Sequence, residues 1–184
     1  MNLISGNNIS ANNYISLWLY TGAVSNTFSN NILNGSGTAI NAGANSFGNN
    51  FTNNTILGNP VYGVLLGGLG ANTLNQTFNL SYLTGTYPLA MNTGTTLLSY
   101  TQPINLTNTT NLYDVVSLPA NLSKVNITAA PDLNKTANIY LYNLPFAAPL
   151  ILRDATDSGA YSTCPTSICT FVSYGSGTLM FNVT

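Results

Sequence analysis

From Met1 to about Leu83, single apolar residues alternate with Asn, Ser, Thr and Gly, and the whole alternation recurs at a fixed step. Asn7-Asn8, Asn30-Asn31 and Asn53-Asn54 are separated by 23 residues each time, as are Phe28, Phe51 and Leu74. Asn26, Asn49 and Asn72 repeat the step, and Gly35 and Gly58 share it. In this register Ile15, Thr38 and Val61 align, as do Leu17, Ile40 and Gly63, and Leu19, Ala42 and Leu65. A repeat of this length marks an architecture of stacked units. Within each copy the aligned positions lie two apart, which is the period of a strand. The Gly-Asn-Ser-Thr clusters between them supply turns, because Gly and Asn tolerate positive φ. Short strands joined by turns and stacked at about 4.8 Å make a parallel β-helix.

This pattern predicts a short right-handed parallel β-helix of 23-residue coils over residues 1–90. Its core is expected from Ile15, Leu17, Leu19, Phe28, Ile32, Ile40, Phe51, Val61, Leu65 and Leu74. The repeated asparagines Asn7, Asn8, Asn30, Asn31, Asn53 and Asn54 are expected to form hydrogen-bonded ladders. An uncharged amide donates and accepts at once, so it can bond to its own copy where a carboxylate would be repelled.

Beyond about Leu83 the register fades. "KVNITAAP", "ANIYLYNLPF", "PLILRDA", "CTFVSYG" and "GTLMFNVT" are short alternating or β-branched runs broken by Pro, Gly and Asp. They predict a small antiparallel, Ig-like β-sandwich over residues 91–184, with the boundary between 83 and 105. The expected fold class is all-β.

"SNNILNGSGTAINAG" and "FTNNTILGNPVYGVLLGG" resemble the coils of right-handed parallel β-helix proteins of the NosD-like and pectate-lyase-like superfamily. The C-terminal stretch from Asn134 resembles modules that follow β-helices in archaeal surface proteins. The resemblance implies the fold over roughly residues 1–82. It implies little about activity, since that fold hosts lyases, hydrolases, tailspikes and plain surface proteins.

Charge narrows the functional classes. Asp114, Lys124, Asp132, Lys135, Arg153, Asp154 and Asp157 are the only charged side chains, His is absent, and residues 1–113 carry none. Without a basic patch there is nothing to neutralise phosphates, so no nucleic-acid partner is expected. The coil region also has no acid, base, thiol or hard-metal ligand set, so no catalytic residue, metal or cofactor is assigned. The "RDATDSG" stretch has the look of a weak Ca²⁺ loop, but turn formation by Asp and Gly is the simpler account. No apolar run approaches the roughly 20 residues of a membrane-spanning helix.

Twelve Asn-x-Ser/Thr sequons occur, where 29 Asn and 40 Ser plus Thr in 184 positions would give about six by chance. Those assigned as glycan acceptors are Asn34, Asn75, Asn79, Asn105, Asn108, Asn121, Asn126 and Asn134. Those at Asn8 and Asn53 fall on expected ladder positions. Cys164 and Cys169 are the only cysteines; with no His, a disulfide suits them better than a zinc site. Sequons and disulfide together point to an extracellular or cell-surface location. Met1 is followed by no signal-peptide core, and both ends fall inside repeating or strand-like sequence, so a segment of a longer secreted polypeptide is expected.

Period two also assigns an outward face. If residues 15, 17 and 19 point inward, Tyr14, Trp18 and Tyr20 point outward, with Tyr62, Val64 and Leu66 matching them in the third coil. An exposed aromatic and apolar face marks an interface. The expected function is an extracellular structural glycoprotein, a filament or coat subunit joined to identical subunits through strand edges and coil ends. The alternative is a carbohydrate-binding adhesin or stalk module that meets a surface polysaccharide through Trp18. Neither is an enzyme.

Overall fold

The computed structural model describes residues 1–11, 13–67, 74–118, 124–125, 131–154, 156 and 158–184. The first coil contains β1 (Leu3–Ser5), β2 (Asn8–Ala11) and β3 (Ile15–Leu19). The second contains β4 (Thr27–Ser29), β5 (Ile32–Gly35) and β6 (Thr38–Ala42), and the third β7 (Asn49–Thr52), β8 (Thr55–Leu57) and β9 (Tyr62–Gly67). Each strand pairs in parallel with its counterpart one coil on. The molecule is therefore all-β, with a β-solenoid of about three turns. β10 (Gln76–Leu83) and β11 (Tyr87–Asn92) continue two of the three sheets in parallel, while among the described residues the third ends at β8.

The coils are not of equal length, and this moves several residues from their expected places. In the first sheet, Ile4, Phe28, Phe51 and Phe78 stand in one column, at steps of 24, 23 and 27. Phe78, not Leu74, therefore caps the phenylalanine stack, although Leu74 is buried as expected. In the second sheet Leu33 faces the core and Ile32 is exposed. In the third, one extra residue before Tyr62 places Val64 and Leu66 inside, in line with Ile40 and Ala42. Val61 is exposed instead and Leu65 only half-buried. A one-residue change of register exchanges the two faces of a strand, because side chains alternate with period two. Ile40, Phe28, Phe51 and Leu19 are buried as expected; Ile15 and Leu17, on the outer coil, are half-buried.

The parallel stacking ends at a hairpin. Gly94 takes a positive φ of 85°, its N–H donates to Asn92 Oδ1, and Thr93 N–H donates to Thr96 O. This tight turn reverses the chain into β12 (Thr96–Tyr100), antiparallel to β11. β13 (Ile104–Asn111) likewise pairs antiparallel with β10 and closes the first sheet. A short helix α1 (Leu112–Val115), capped by Asn111 Oδ1 accepting from Tyr113 N–H, follows. Then come β14 (Val116–Ser117), β15 (Lys124–Val125), a 3₁₀ turn at Pro131–Leu133, β16 (Ala137–Leu141), β17 (Leu152–Arg153), β18 (Ser162–Thr163), β19 (Cys169–Gly175) and β20 (Thr178–Val183).

The C-terminal strands do not build the expected Ig-like sandwich among the described residues. β12, β16, β20 and β19 instead extend the third sheet of the solenoid, giving eight strands in the order β3-β6-β9-β11-β12-β16-β20-β19. β14–β15 and β17–β18 form separate two-stranded ribbons. One cluster of buried apolar residues runs from Leu19 to Phe181. An apolar sheet face already exposed at β11 and β12 is extended most cheaply by more strands with the same inward alternation, and β16 and β20 supply it through Ile139, Leu179 and Phe181.

Candidate functional site

Two amide ladders run along the solenoid. In one, the backbone N–H and Nδ2 of Asn7 both donate to Asn31 Oδ1 (3.0 and 3.1 Å), and those of Asn31 donate to Asn54 Oδ1 (3.1 and 2.9 Å). In the other, Asn2 donates to Asn26 Oδ1, Asn26 to Asn49 Oδ1, and Asn49 to Gln76 Oε1, each again with two N–H groups. The second amide hydrogen turns inward to a backbone carbonyl: Asn49 Nδ2 bonds Ala23 O, Asn54 Nδ2 bonds Phe28 O and Gln76 Nε2 bonds Ser46 O. Each rung thus satisfies buried backbone groups at a corner where no strand can.

Of the six asparagines expected in ladders, Asn7, Asn31 and Asn54 are there; Asn8, Asn30 and Asn53 are not. Asn30 and Asn53 hold the left-handed corner (φ 55° and 54°), where the first coil has Gly6 (φ 69°). Asn8 aligns with Ile32 and Thr55 on an exposed column. The first coil step is 24, so the Asn-Asn pairs align one position out. The second ladder was legible in a different motif, Asn26-x-Phe28, Asn49-x-Phe51, Gln76-x-Phe78, in which Gln takes the amide role. Asn72, which shares the 23-residue step, lies outside the described residues.

The outward aromatic face is divided by the same register. Trp18 (56% exposed), on the edge strand β3, and Tyr20 (68%), just past its end, meet edge to face at 5.3 Å, and Tyr14, just before that strand, is exposed as well. The Trp18 indole nitrogen lies near Gly43, where an added Cβ would stand 3.8 Å from it. Tyr62 is half-buried and stacks on Tyr87 at 5.4 Å. Val64 and Leu66 are buried in the core and belong to no outer face, contrary to the sequence-based expectation.

Cys164 and Cys169 form a disulfide across the turn that leads into β19. Asn34, Asn105 and Asn134 are exposed; Asn75 and Asn79 are half-buried, and Asn75 Oδ1 accepts from Asn111 Nδ2. Asn121 and Asn126, and the side chain of Asn108, lie outside the described residues. Among the described residues no group of three His, Cys, Asp or Glu is placed to hold a metal, and no helix is long and apolar enough to cross a membrane. Asp154 accepts from the N–H of Thr156 and of Gly159, which is the geometry of a polar turn. Asp132 Oδ2 accepts from Thr107 Oγ1. Burial pushes the Tyr100 hydroxyl well above its ordinary range. That of Tyr142 is raised by burial, then by Tyr140 and Tyr62.

No protein-family model, curated protein or solved structure matches the chain. The site consists of strand edges, amide ladders and exposed aromatic rings, which offer backbone and amide hydrogen bonds and apolar stacking surface.

Proposed function

We propose that this chain is an extracellular structural glycoprotein, a non-catalytic subunit of a cell-surface filament or coat that joins identical subunits through strand edges. The reading rests on one observation above the others. β1, β2 and β3 are the outermost strands of all three solenoid sheets at one end; they carry exposed Leu3 and Trp18, are flanked by exposed Tyr14 and Tyr20, and have no charged side chain. Natural sheets blunt such edges with Lys, Pro or covering segments, because an unpaired edge recruits another strand. The disulfide favours an oxidising compartment. The excess of sequons, three of them on exposed side chains at Asn34, Asn105 and Asn134, favours N-glycosylation there. The likeness to NosD-like and pectate-lyase-like coils, and to archaeal surface proteins, fits this role as a stack of coils without a catalytic set.

A second reading is favoured by the Trp18–Tyr20 pair: a monomeric adhesin that stacks a surface polysaccharide on the indole. Negative-stain imaging of the purified glycosylated protein over a concentration series separates the two. The structural reading expects filaments or sheets with a regular repeat. Isolated particles at every concentration, combined with quenching of Trp18 fluorescence by an oligosaccharide, would replace it with the adhesin. A native mass equal to the bare 19.4 kDa chain would remove the glycoprotein part.

A further inference from the structure

The eight-stranded sheet carries two side-chain rows that cross every strand. The inner row is Leu19–Ala42–Leu66–Met91–Leu98–Ile139–Phe181–Phe171. It is buried from Leu19 (2% exposed) to Phe181 (7%), then ends on Phe171, which is 56% exposed on the outer strand β19. The outer row is Trp18–Asn41–Leu65–Ala90–Ser99–Asn138–Asn182–Thr170, and it ends on exposed Trp18 at the other edge. Each row thus leaves a large apolar ring uncovered at one edge of the sheet.

Strand direction makes the two edges mutually compatible. β3, β6, β9 and β11 are parallel, and four antiparallel pairings, β11–β12, β12–β16, β16–β20 and β20–β19, lead to the far edge. An even number of reversals leaves β19 running in the same direction as β3. A second copy displaced along the sheet therefore brings its β3 beside β19 in parallel, the same pairing that β3 makes with β6. Neither strand contains a charged residue or a proline.

We propose that β19 of one copy pairs in parallel with β3 of the next, in the register that sets Phe171 against Leu19 and Thr170 against Trp18. This rests on the assembly reading above and specifies its contact. Both side-chain rows then continue unbroken from copy to copy. Phe171 then packs beside Leu19 and Trp18, and the pairing lies before the irregularity at Val172, where the β19–β20 register shifts. The contact is heterologous, with different surfaces on the two partners, so it generates an open polymer, or a ring where the rotation closes, and not a two-fold dimer.

The test uses Trp18→Lys, Thr170→Glu and the double variant, each checked for the wild-type circular dichroism spectrum and melting temperature. Wild-type protein should polymerise with concentration in sedimentation and negative stain. Trp18→Lys should raise the midpoint concentration by on the order of tenfold or more, by removing the ring from the contact. Thr170→Glu should weaken assembly as well, by setting an uncompensated carboxylate in it. The double variant should recover assembly, because the register sets the introduced ammonium of one copy directly opposite the introduced carboxylate of the next. Polymer that tolerates Thr170→Glu, or a double variant no better than the singles, would overturn the β19–β3 pairing while leaving assembly by another route standing. A wild-type chain that stays monomeric at all concentrations would overturn both.

Discussion

Asn49 offers the sharpest test of why the solenoid uses amides. Its side chain is fully buried in the rung between Asn26 and Gln76. Asn49 Oδ1 accepts two N–H groups from Asn26 (2.9 and 3.0 Å), and Nδ2 donates to Ala23 O (2.8 Å) and Gln76 Oε1 (3.1 Å). Asn49→Ala leaves Asn26 N–H, Asn26 Nδ2 and Ala23 O without these partners, while Gln76 Oε1 keeps the backbone N–H of residue 49. At about 1–2 kcal/mol for each orphaned group, the loss is about 3–6 kcal/mol, which for a chain of this size lowers Tm by roughly 6–24 °C. Asn49→Asp is nearly isosteric and keeps both bonds from Asn26. Its second oxygen, however, meets Ala23 O and Gln76 Oε1, two acceptors, inside the core. Burial and these oxygens disfavour the carboxylate, so the folded-state pKa of the introduced acid rises above its unfolded value near about 3.9. A raised pKa means that the folded form is favoured when the acid is protonated; the stability is fully present below the unfolded value and is lost as pH rises through the folded one. Asn49→Asp should therefore be destabilised at pH 7 by several kcal/mol, at least as much as the alanine variant. It should regain stability on acidification to about pH 3, where the acid can donate to one of the facing oxygens. Urea unfolding followed by circular dichroism at several pH values measures this directly. An Asn49→Asp protein as stable as wild type at pH 7, or one that weakens on acidification, would refute the ladder argument.

Three further outcomes are expected. Phe51 is stacked between Phe28 (5.1 Å) and Phe78 (5.0 Å), so Phe51→Ala should cost about 3–5 kcal/mol; Phe28→Ala, which removes only one ring–ring contact, should cost about 1 kcal/mol less by the same unfolding assay. A Cβ at Gly63 would stand 2.5 Å from Pro88 O and 2.6 Å from Thr84 O, both backbone, so Gly63→Ala should lose about 1–3 kcal/mol or fail to fold; Gly175→Ala, with open space around it, should change stability by less than about 0.5 kcal/mol. The chain should keep its circular dichroism spectrum from neutral pH to about pH 2, since it has four acidic side chains and no His. Alkali should act differently: the raised Tyr100 pKa makes the neutral phenol's contribution complete below about pH 10 and progressively lost above it, so a spectrum that changes in acid before alkali would contradict this assignment.

The sequence by itself determined that the chain is a stack of short strands. Alternation at period two identified strands, and the recurrence of Asn-Asn, Asn-x-Phe and Gly identified coils, because both signals are local and repeat. The Cys164–Cys169 bridge was equally legible, since the chain offers no other cysteine and no His to compete. Register was less legible. One residue more or less at a corner leaves the composition unchanged but exchanges the faces of the next strand. For that reason Val64 and Leu66 are core while Val61 is exposed, and Asn30 and Asn53 hold left-handed corners while Asn31 and Asn54 carry the ladder. The pairing of the C-terminal strands was not legible at all. Alternating runs such as "ANIYLYN" and "GTLMFNVT" show that strands form, not which edge receives them. Only the tertiary structure decided that they extend the solenoid's own sheet: the hairpin at Gly94 reverses the chain beside β11, β16 then pairs with β12, and the β19–β20 hairpin joins β16 through β20, so that backbone hydrogen bonds and one continuous apolar row are satisfied together.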